Sequence, residues 1–409
     1  MKILVLNCGS SSIKFQLFET NASMIEKNTD RCLAKGSVER IGTDEATVSI
    51  QVPPDPPKKQ TEEIFDHRTA LTRAIALLKD AHALADITQI QAVGHRMVHA
   101  GERFSTSMVI DDEVEKEIQQ CVELAPLHNP HNLRGYNVAR KVLPQVPQVA
   151  VFDTAFHQTM PPKAYLYGLP YSYYRRYRVR RFGFHGTSHR YVAFRYRQLF
   201  QKKRHEGNLI TCHLGNGCSI AAIEKGKSVD TSMGFTPLEG LVMGTRCGDV
   251  DPGVILYLMS KEELTLHDMQ TLLLKFSGLY GISGESNDMR DLINAAAKGS
   301  HQAQLAIDVF CYRIKKYIGA YMAVLGHVDG VIFTGGIGEN GVCVREKACT
   351  GLAELGIQID PDRNRKAVGK EGEISTDASR VRVMVIPTNE ELLIARDTFR
   401  AVRGLPHPS

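Results

Sequence analysis

The chain has 409 residues, of which 43% are hydrophobic and 23% are charged, and its formal net charge is +5 at pH 7. This composition is typical of a soluble globular protein with two or three domains, and it excludes disordered and fibrous classes. No apolar run approaches the roughly 18–20 residues of a membrane helix. The nine cysteines are scattered and form no Cys-x-x-Cys pair, so they indicate reduced thiols in a cytoplasmic protein.

Two local features bear on targeting and on nucleic-acid binding. The apolar run at residues 3–6 is too short for the core of a signal peptide. Basic and aromatic residues interleave at residues 171–181, a composition that can bind single-stranded nucleic acid. Because this stretch is short and isolated, a solvated or subunit-contacting segment is the better interpretation, and we expect no nucleic-acid or membrane partner.

Apolar patterning along the chain predicts alternating strands and helices, which indicates an α/β fold. Strands are predicted at residues 3–6, 13–17, 36–52, 149–152, 331–334 and 381–386. Helices are predicted at residues 61–85, 112–124 and 301–325, and two more are expected to open near Asn129 and Asn389. The longest helix carries apolar residues near helical period at Leu305, Val309, Tyr312, Tyr317, Tyr321 and Val324.

A weak internal repeat predicts a duplicated domain. Residues 6–13 (LNCGSSSI) resemble residues 214–220 (LGNGCSI), and each segment reads as an apolar strand, a small-residue turn and a returning strand. Glycine and serine turns let backbone N–H groups approach phosphate oxygens closely. Two such hairpins half a chain apart therefore predict one phosphate-contacting hairpin in each half.

Three glycine-rich turns are candidate phosphate sites. The first is the turn at residues 7–14, where Lys14 adds a cation, and the others are at residues 213–217 and 335–340. The last of these follows an apolar strand and precedes a predicted helix, a setting that suits a nucleotide. The alternative for each is a plain tight turn without ligand. A P-loop is excluded because the chain has no G-x-x-x-x-G-K-[ST] motif.

Several charged residues stand in turns or at strand ends. Arg96 and Arg246 suit carboxylate or phosphoryl oxygens, because a guanidinium forms planar two-point hydrogen bonds. Asp153 ends an apolar strand, His185 precedes a glycine, and Glu390 opens a predicted helix. The alternatives are structural ion pairs for the arginines and helix capping for the carboxylates. His185 has no neighbouring Glu that would make a zinc motif.

Together these segments resemble the acetate kinase (acetokinase) family of the acetate and sugar kinase/heat-shock-chaperone/actin superfamily. The resemblance covers nearly the whole chain and includes NCGSSSIKF, VGHRMVHAG, VFDTAFHQTMP, GFHGTSHRYV, HLGNGCS, MGTRCGDVDPG, FTGGIGEN and PTNEELLIA. It implies a duplicated two-domain α/β fold, ribonuclease-H-like (actin-like ATPase), with a cleft between the domains. Residues 1–154 with 390–409 would form the acceptor and metal side, and residues 155–389 the nucleotide-binding domain.

The resemblance also implies roles for individual residues. It implies catalytic roles for Asp153, His185 and Arg246, and metal binding by Asn7 and Glu390. The acetate site would comprise Arg96, Val98, Leu127, Phe184 and Pro237. The ATP site would comprise Lys14, His213, Leu214, Gly215, Asn216, Gly217, Asp288, Met289, Arg290, Gly336, Ile337, Gly338, Glu339 and Asn340.

The implied reaction is direct, in-line and reversible transfer of the γ-phosphoryl group of ATP to acetate, giving acetyl phosphate and ADP. Mg²⁺, or Mn²⁺, would be the cofactor, ATP and ADP the co-substrates, and the protein a cytoplasmic homodimer. Asp153 is expected to orient Arg96 or a metal-bound water. A propionate kinase of the same family is the nearest alternative, and a non-catalytic actin-like ATP-binding protein is an alternative of another class.

Two further expectations concern the surroundings of the site. Cys8, Cys218 and Cys247 stand at three turns where alanine or serine is more usual in the family that the chain resembles. Thiols in N–H-rich or cationic turns are predicted to favour the thiolate. The alternative is that all three are buried and inert. Val98 lies two residues beyond Arg96, and on an extended strand this spacing would put both side chains on one face.

Overall fold

The computed structural model of the chain describes residues 1–122, 129–203 and 205–407, and it divides into two compact units. The first unit consists of Met1–Phe156 and Asn389–Ser409, and the second of His157–Thr388. Each unit contains its own β-sheet with flanking helices. Among the described residues no helix is both long enough and apolar enough to cross a membrane.

Strands and helices alternate along much of the described chain. The strands are β1 (Lys2–Cys8), β2 (Ser12–Glu19), β3 (Arg31–Glu39), β4 (Thr43–Gln51), β5 (Lys58–Ile64), β6 (Ala92–Met97), β7 (Met108–Val109), β8 (Gln148–Phe152), β9 (Asn208–Leu214), β10 (Cys218–Glu224), β11 (Lys227–Thr231), β12 (Gly330–Thr334), β13 (Gly372–Glu373) and β14 (Arg382–Val385). The helices are α1 (Ala22–Lys27), α2 (His67–Asp80), α3 (Asp112–Gln120), α4 (Asn129–Val142), α5 (Pro162–Tyr165), α6 (Tyr171–Tyr177), α7 (Gly186–Leu199), α8 (Pro252–Lys261), α9 (Leu266–Lys275), α10 (Gly278–Ser283), α11 (Met289–Ala297), α12 (His301–Leu325), α13 (Gly335–Asn340), α14 (Val342–Cys349), α15 (Pro361–Lys366) and α16 (Glu390–Val402).

The two sheets repeat one strand order. The first unit has the order β5-β4-β3-β2-β1-β6-β8-β7, and the second has β11-β10-β9-β12-β14-β13. In the first, β3, β2 and β1 are antiparallel neighbours and β6 and β8 continue in parallel. In the second, β11, β10 and β9 are antiparallel and β12 and β14 continue in parallel. The duplication predicted from the two hairpins is therefore confirmed.

The central strands of the first unit are covered by helices. Leu4, Leu6 and Phe15 belong to a buried apolar cluster that includes residues of α2 and α4. Helix α16 packs on β1, β6 and β8. A Cβ atom at Gly94 of β6 would lie 2.3 Å from Oγ1 of Thr398 and 2.8 Å from Cγ2 of Ile394. The bare backbone at this position lets α16 approach the sheet, and this contact brings Glu390, its first residue, to the end of β6.

The structure confirms several predicted elements and corrects others. The helix predicted at residues 301–325 is α12, and those expected near Asn129 and Asn389 are α4 and α16. The helix predicted at residues 61–85 is wrong in its first part, because β5 (Lys58–Ile64) pairs antiparallel with β4 there. Its N-terminus is set instead by Asp66, whose side chain accepts a hydrogen bond from the backbone N–H of Thr69.

Two other predictions need correction. The apolar residues noted at helical period on α12 do not form one buried face, since Leu305, Tyr312 and Val324 are exposed and Tyr321 is buried. Phe310 and Ile314, which that pattern did not include, are buried. The segment at residues 335–340, predicted as a turn before a helix, is itself the short helix α13. Helix α3, predicted at residues 112–124, ends at Gln120, and residues 123–128 lie outside the described part of the chain.

Candidate active site

An ion pair joins the ends of two neighbouring parallel strands in the first unit. Arg96 lies on β6, and Asp153 directly follows β8. Nε of Arg96 donates to Oδ1 of Asp153 at 3.2 Å, and Nη2 donates to Oδ2 at 2.7 Å. The Asp153 side chain is 2% exposed and the Arg96 side chain 25% exposed. Carboxyl ends of parallel strands are where α/β proteins bind ligands, so this pair stands at a favourable place for a substrate.

Glu390 adds a second carboxylate to this group. Its Oε2 lies 3.9 Å from Nε of Arg96, and the nearby charges of Asp153 and Glu390 raise the pKa of Arg96. Burial, with the negative charges of Asp153 and Glu391, raises the pKa of Glu390 to about 7, against the opposing charges of Arg96 and Lys14. The site therefore concentrates negative charge that a cation would stabilise.

The hairpin β1–β2 carries the two remaining polar residues predicted in this unit. Asn7 and Lys14 are direct partners in the antiparallel register of this hairpin. The oxygen donors of Asn7 and Glu390 are of the kind that Mg²⁺ prefers. Among the described residues no group of three or more His, Cys, Asp or Glu side chains forms a ready metal site.

The predicted acyl-pocket residues of the first unit are only partly described. Val98 is buried and lies in a bend just beyond β6, with its backbone N–H donating to Oδ1 of Asn132 at 3.1 Å. Strand β6 ends at Met97, one residue before Val98, so the shared face of Val98 and Arg96 stays a prediction. Leu127 lies outside the described residues.

In the second unit a bare glycine lies beside an imidazole and a guanidinium. A Cβ atom at Gly217 would lie 3.4 Å from Nε2 and Cε1 of His185 and 3.5 Å from Nη1 of Arg246. The ring of His213 stands 4.3 Å from that of His185, centroid to centroid. The absence of a side chain at Gly217 thus leaves space at a position flanked by an imidazole nitrogen and a guanidinium nitrogen.

Arg246 differs from Arg96 in having no acidic partner among the described residues. Its Nη1 donates to the backbone oxygen of Pro237 at 3.1 Å. In the part of the chain that the structure describes, no carboxylate forms an ion pair with Arg246, and burial lowers the pKa of its guanidinium. Phe184, which precedes His185, is buried and accepts a hydrogen bond at its backbone oxygen from Nε2 of His157. A partly buried cation that no described carboxylate neutralises is suited to bind an anion.

A cavity of about 690 Å³ lies in the second unit. Predicted ATP-site residues that line it are Gly215, Asn216, Asp288, Met289, Arg290, Gly336, Ile337 and Asn340. A Cβ atom at Gly244 would lie 2.0 Å from Oδ1 of Asn216, so only glycine there lets Asn216 keep its place in the wall. This volume falls within the range typical of ligand pockets.

The other predicted ATP-site residues lie outside the cavity wall. Leu214 and Gly338 are buried, and His213 and Gly217 stand near His185. Glu339 supports the loop, because its Oε1 accepts hydrogen bonds from the backbone N–H groups of Gly335 and Thr388. Lys14 belongs to the first unit.

Sequence reasoning missed three residues of the cavity wall, namely Asn287, Ile293 and Gly341. Ile293 follows Met289 by four residues on α11, so helical spacing could have identified it. Asn287 donates from Nδ2 to Oδ1 of Asn216 at 3.3 Å, a contact between distant segments that no local pattern indicates.

The prediction of activated thiols is wrong. Burial raises the pKa of Cys8 and that of Cys218 to about 12, and it also raises the pKa of the half-buried Cys247. Loss of hydration favours the neutral thiol in all three cases, and at Cys218 it outweighs the opposing charge of Arg246. The alternative that all three are buried holds for Cys8 and Cys218 and not for Cys247, which is only partly buried.

Comparison with known proteins identifies the family. A profile described as "Acetokinase family" matches residues 2–396. The chain belongs to the acetokinase family. It is 55% identical to the acetate kinase of Halothermothrix orenii over 406 residues, covering 99% of this chain and 100% of that one.

Two solved structures of related kinases are similar to this chain over nearly its whole length. The acetate kinase of Porphyromonas gingivalis matches with a TM-score of 0.92 and 45% identity over 98% of this chain and 99% of that one. A propionate kinase of Francisella tularensis matches with a TM-score of 0.90 and 40% identity over 99% and 100%. The chain is thus a phosphotransferase of this family, with the duplicated ribonuclease-H-like (actin-like ATPase) α/β fold that the resemblance implied.

Proposed function

We propose that the protein is an acetate kinase, which reversibly transfers the γ-phosphoryl group of ATP to acetate and forms acetyl phosphate and ADP. The observation that carries this proposal is Arg246. Its guanidinium is partly buried near His185 and the bare Gly217, and no described carboxylate neutralises it. A phosphoryl group in flight carries negative charge on its equatorial oxygens, and such a cation with an imidazole supplies the charge stabilisation that phosphoryl transfer needs.

The second unit supplies the nucleotide site in this proposal. The cavity contains a hydrophobic wall from Ile337, Ile293 and Met289, and polar groups from Asn216 and Asn340. Such a surface suits a purine and its ribose, which present one apolar face and a few hydrogen-bonding groups. Residues of the loops around this cavity would hold ATP.

The first unit supplies the acceptor site. Arg96 would bind the carboxylate of acetate, and Asp153 would hold the guanidinium in orientation through its two hydrogen bonds. Val98 and Leu127 would enclose the methyl group. Acetate is already a nucleophile as its anion, so attack on the γ-phosphorus in line requires positioning and no strong base.

Asn7 and Glu390 are the residues that would hold Mg²⁺ or Mn²⁺. Both offer oxygen ligands, and the surplus of carboxylates around Arg96 favours a cation there. A site with so few protein ligands fits Mg²⁺, which usually keeps several waters and binds substrate phosphates. The ion, when bound, would neutralise charge on the phosphate oxygens.

The protein would act as a cytoplasmic homodimer. Helix α8 supports this, because none of its residues is buried although Val254, Leu256 and Tyr257 lie on it. A helix that is apolar and exposed in a single chain is suited to an interface with a second copy.

A hydroxamate assay with ATP and acetate tests the proposal. Trapping of acetyl phosphate, with no product when acetate is omitted, is the expected result, and an ATP-binding protein without transfer activity would contradict it. Propionate kinase is the second candidate, favoured by the similarity to the Francisella tularensis enzyme. Specificity constants for acetate, propionate and butyrate decide between the two acids.

A further inference from the structure

A chain of hydrogen bonds runs from the sheet of the second unit to His185. Oγ1 of Thr211, on β9, lies 2.7 Å from Nδ1 of His189, on α7. Nε2 of His189 lies 2.8 Å from Oγ of Ser219, on β10, and the same oxygen lies 2.9 Å from Nδ1 of His185. Thr211, His189 and Ser219 are fully buried. Four side chains are thus joined in one continuous line.

The hydroxyl of Thr211, at the end of this line of hydrogen bonds, determines which atom donates in each bond. Among the described residues, the hydroxyl of Thr211 has Nδ1 of His189 as its hydrogen-bond partner. A buried hydroxyl hydrogen needs an acceptor, so Thr211 donates and Nδ1 of His189 accepts. Burial, together with the neighbouring His157 and His213, lowers the pKa of His189 far below its ordinary value, and its ring is therefore neutral.

The remaining hydrogens follow from the neutral ring. A neutral imidazole whose Nδ1 accepts must carry its proton on Nε2, so His189 donates to Oγ of Ser219. The hydroxyl of Ser219 has one hydrogen, and Nδ1 of His185 is its other partner. Ser219 therefore donates to Nδ1 of His185, which must carry no proton in order to accept.

We propose that Thr211, His189 and Ser219 form a relay that holds His185 as the neutral tautomer with a bare Nδ1 and a protonated Nε2. Nε2 and its neighbour Cε1 both stand 3.4 Å from the Cβ position at Gly217, and Nη1 of Arg246 stands 3.5 Å from the same position. The relay thereby presents an N–H donor to the anion. This inference rests on the proposed function in one respect, namely that the anion bound there is the transferred phosphoryl group.

The three relay residues are positioning residues, since they act through His185. Reversing the relay would give His185 a proton on Nδ1 and leave the buried Thr211 hydroxyl without an acceptor among the described residues. The wrong tautomer would turn a lone pair, instead of an N–H group, towards negative oxygens. Loss of such orienting contacts to a functional histidine typically lowers activity about 10–100-fold.

The direct test is the tautomer of His185 in the wild-type protein. Nitrogen-15 NMR of histidine-labelled enzyme separates bare from protonated ring nitrogens, and a His185→Asn variant assigns the His185 signals. We expect a bare Nδ1 and a protonated Nε2 in the free enzyme above pH 7. A protonated Nδ1 in that state would overturn the relay.

Kinetics of paired variants give the second test. Thr211→Val keeps the shape and removes the hydroxyl, Thr211→Ser restores it, and Thr231→Val is the matched control. Thr231 is equally buried in the same sheet, and its hydroxyl donates to the backbone oxygen of Ile220. We expect Thr211→Val to lower kcat about 10-fold or more with little change in either KM. Thr211→Ser and Thr231→Val should stay near wild type.

Equal kcat in Thr211→Val and Thr231→Val would overturn the relay, and so would failure of Thr211→Ser to recover activity while folding normally. These outcomes differ from a failure of the proposed function. If the wild type does not phosphorylate acetate, the proposed function is wrong, while the NMR measurement still decides the tautomer because it needs no turnover.

Discussion

Arg96 and Asp153 form a two-point ion pair, in which both carboxylate oxygens accept from the guanidinium at 3.2 and 2.7 Å. The carboxylate is almost fully buried and the guanidinium is a quarter exposed. Asp153 therefore keeps one edge of the guanidinium occupied and fixes the plane in which the remaining N–H groups can meet a ligand.

Asp153→Asn should lower turnover by about 10²-fold, because an amide cannot accept both bonds and the guanidinium is then drawn to Glu390, 3.9 Å away. Steady-state kinetics, with circular dichroism to check folding, measures the effect. Asp377→Asn is the control, since Asp377 pairs with Arg363 at an exposed position. Wild-type turnover in a folded Asp153→Asn enzyme would remove the orienting role.

Arg246→Ala should lower kcat about 10²–10³-fold, the usual effect of losing one contact to a developing negative charge. The fold should persist, because no described carboxylate pairs with Arg246. Removing the arginine therefore leaves no buried carboxylate without its partner. Arg365→Ala, which removes an exposed arginine paired with Asp362, is the control. A folded Arg246→Ala enzyme with normal kcat would contradict the proposed site.

Val98→Ala should raise the specificity constants for propionate and butyrate relative to that for acetate. The substitution removes two methyl groups and so makes room for a longer acyl chain. A methylene in such a pocket is worth about 1–3 kcal/mol, and the change should appear mainly in KM for the acid. Val93→Ala serves as the control, because Val93 is a fully buried residue of β6. If both variants lose stability alike and keep the wild-type order of acids, Val98 is ordinary core.

His95 should make the protein less stable in mild acid. Burial lowers its pKa to about 4, so between pH 6.5 and 4 the unfolded chain binds more protons than the folded one. The contribution is complete above about pH 6.5, and at pH 5 about 2 kcal/mol of it is lost. Urea unfolding at pH 7.5 and 5 measures this loss in the free energy of unfolding. In His95→Gln the difference between the two pH values should be about 2 kcal/mol smaller than in the wild type. An equal pH dependence in the variant and the wild type would show that other groups cause the loss.

Leu256→Glu should convert the proposed dimer into a monomer. Leu256 is 70% exposed on α8, and a charge there would be buried without a partner in an interface. Light scattering after size exclusion at several concentrations measures the mass. Val368→Glu places the same charge at another exposed apolar position and should leave the mass unchanged. A wild-type protein that is already monomeric would refute the dimer itself.

Much of the fold could be predicted because local and tertiary preferences agree. The strands around residues 3–6 and 13–17 are apolar and β-prone, and Ser300 and Gly326 bound the helix at residues 301–325. Failures occur where the two disagree. The polar segment of β5 has helix-forming Lys, Gln and Glu residues, and its pairing with β4 overrides that preference.

Other features depend on contacts that a single sequence does not encode locally. Helix α12 has apolar residues on two faces, so helical period alone could not tell that Phe310 and Ile314 face the core and Leu305 does not. The thiolate prediction for the cysteines failed for a similar reason. Charged residues near a turn can be read from the sequence, whereas the burial that raises the thiol pKa values cannot. Arg96 and Asp153 were each singled out from the sequence, while the joining of Ser219 to both His185 and His189 required coordinates.

The last helix of the chain belongs to the first unit, and this has a consequence for biosynthesis. Helix α16 packs on β1, β6 and β8, and its Arg396 forms a buried ion pair with Asp30. During translation the whole of residues 157–388 leaves the ribosome before this helix is available. The second unit can therefore complete its fold first, whereas the amino-terminal half must wait for the carboxyl terminus. A premature stop near residue 388 would leave the second unit intact and would remove helix α16 from the first unit.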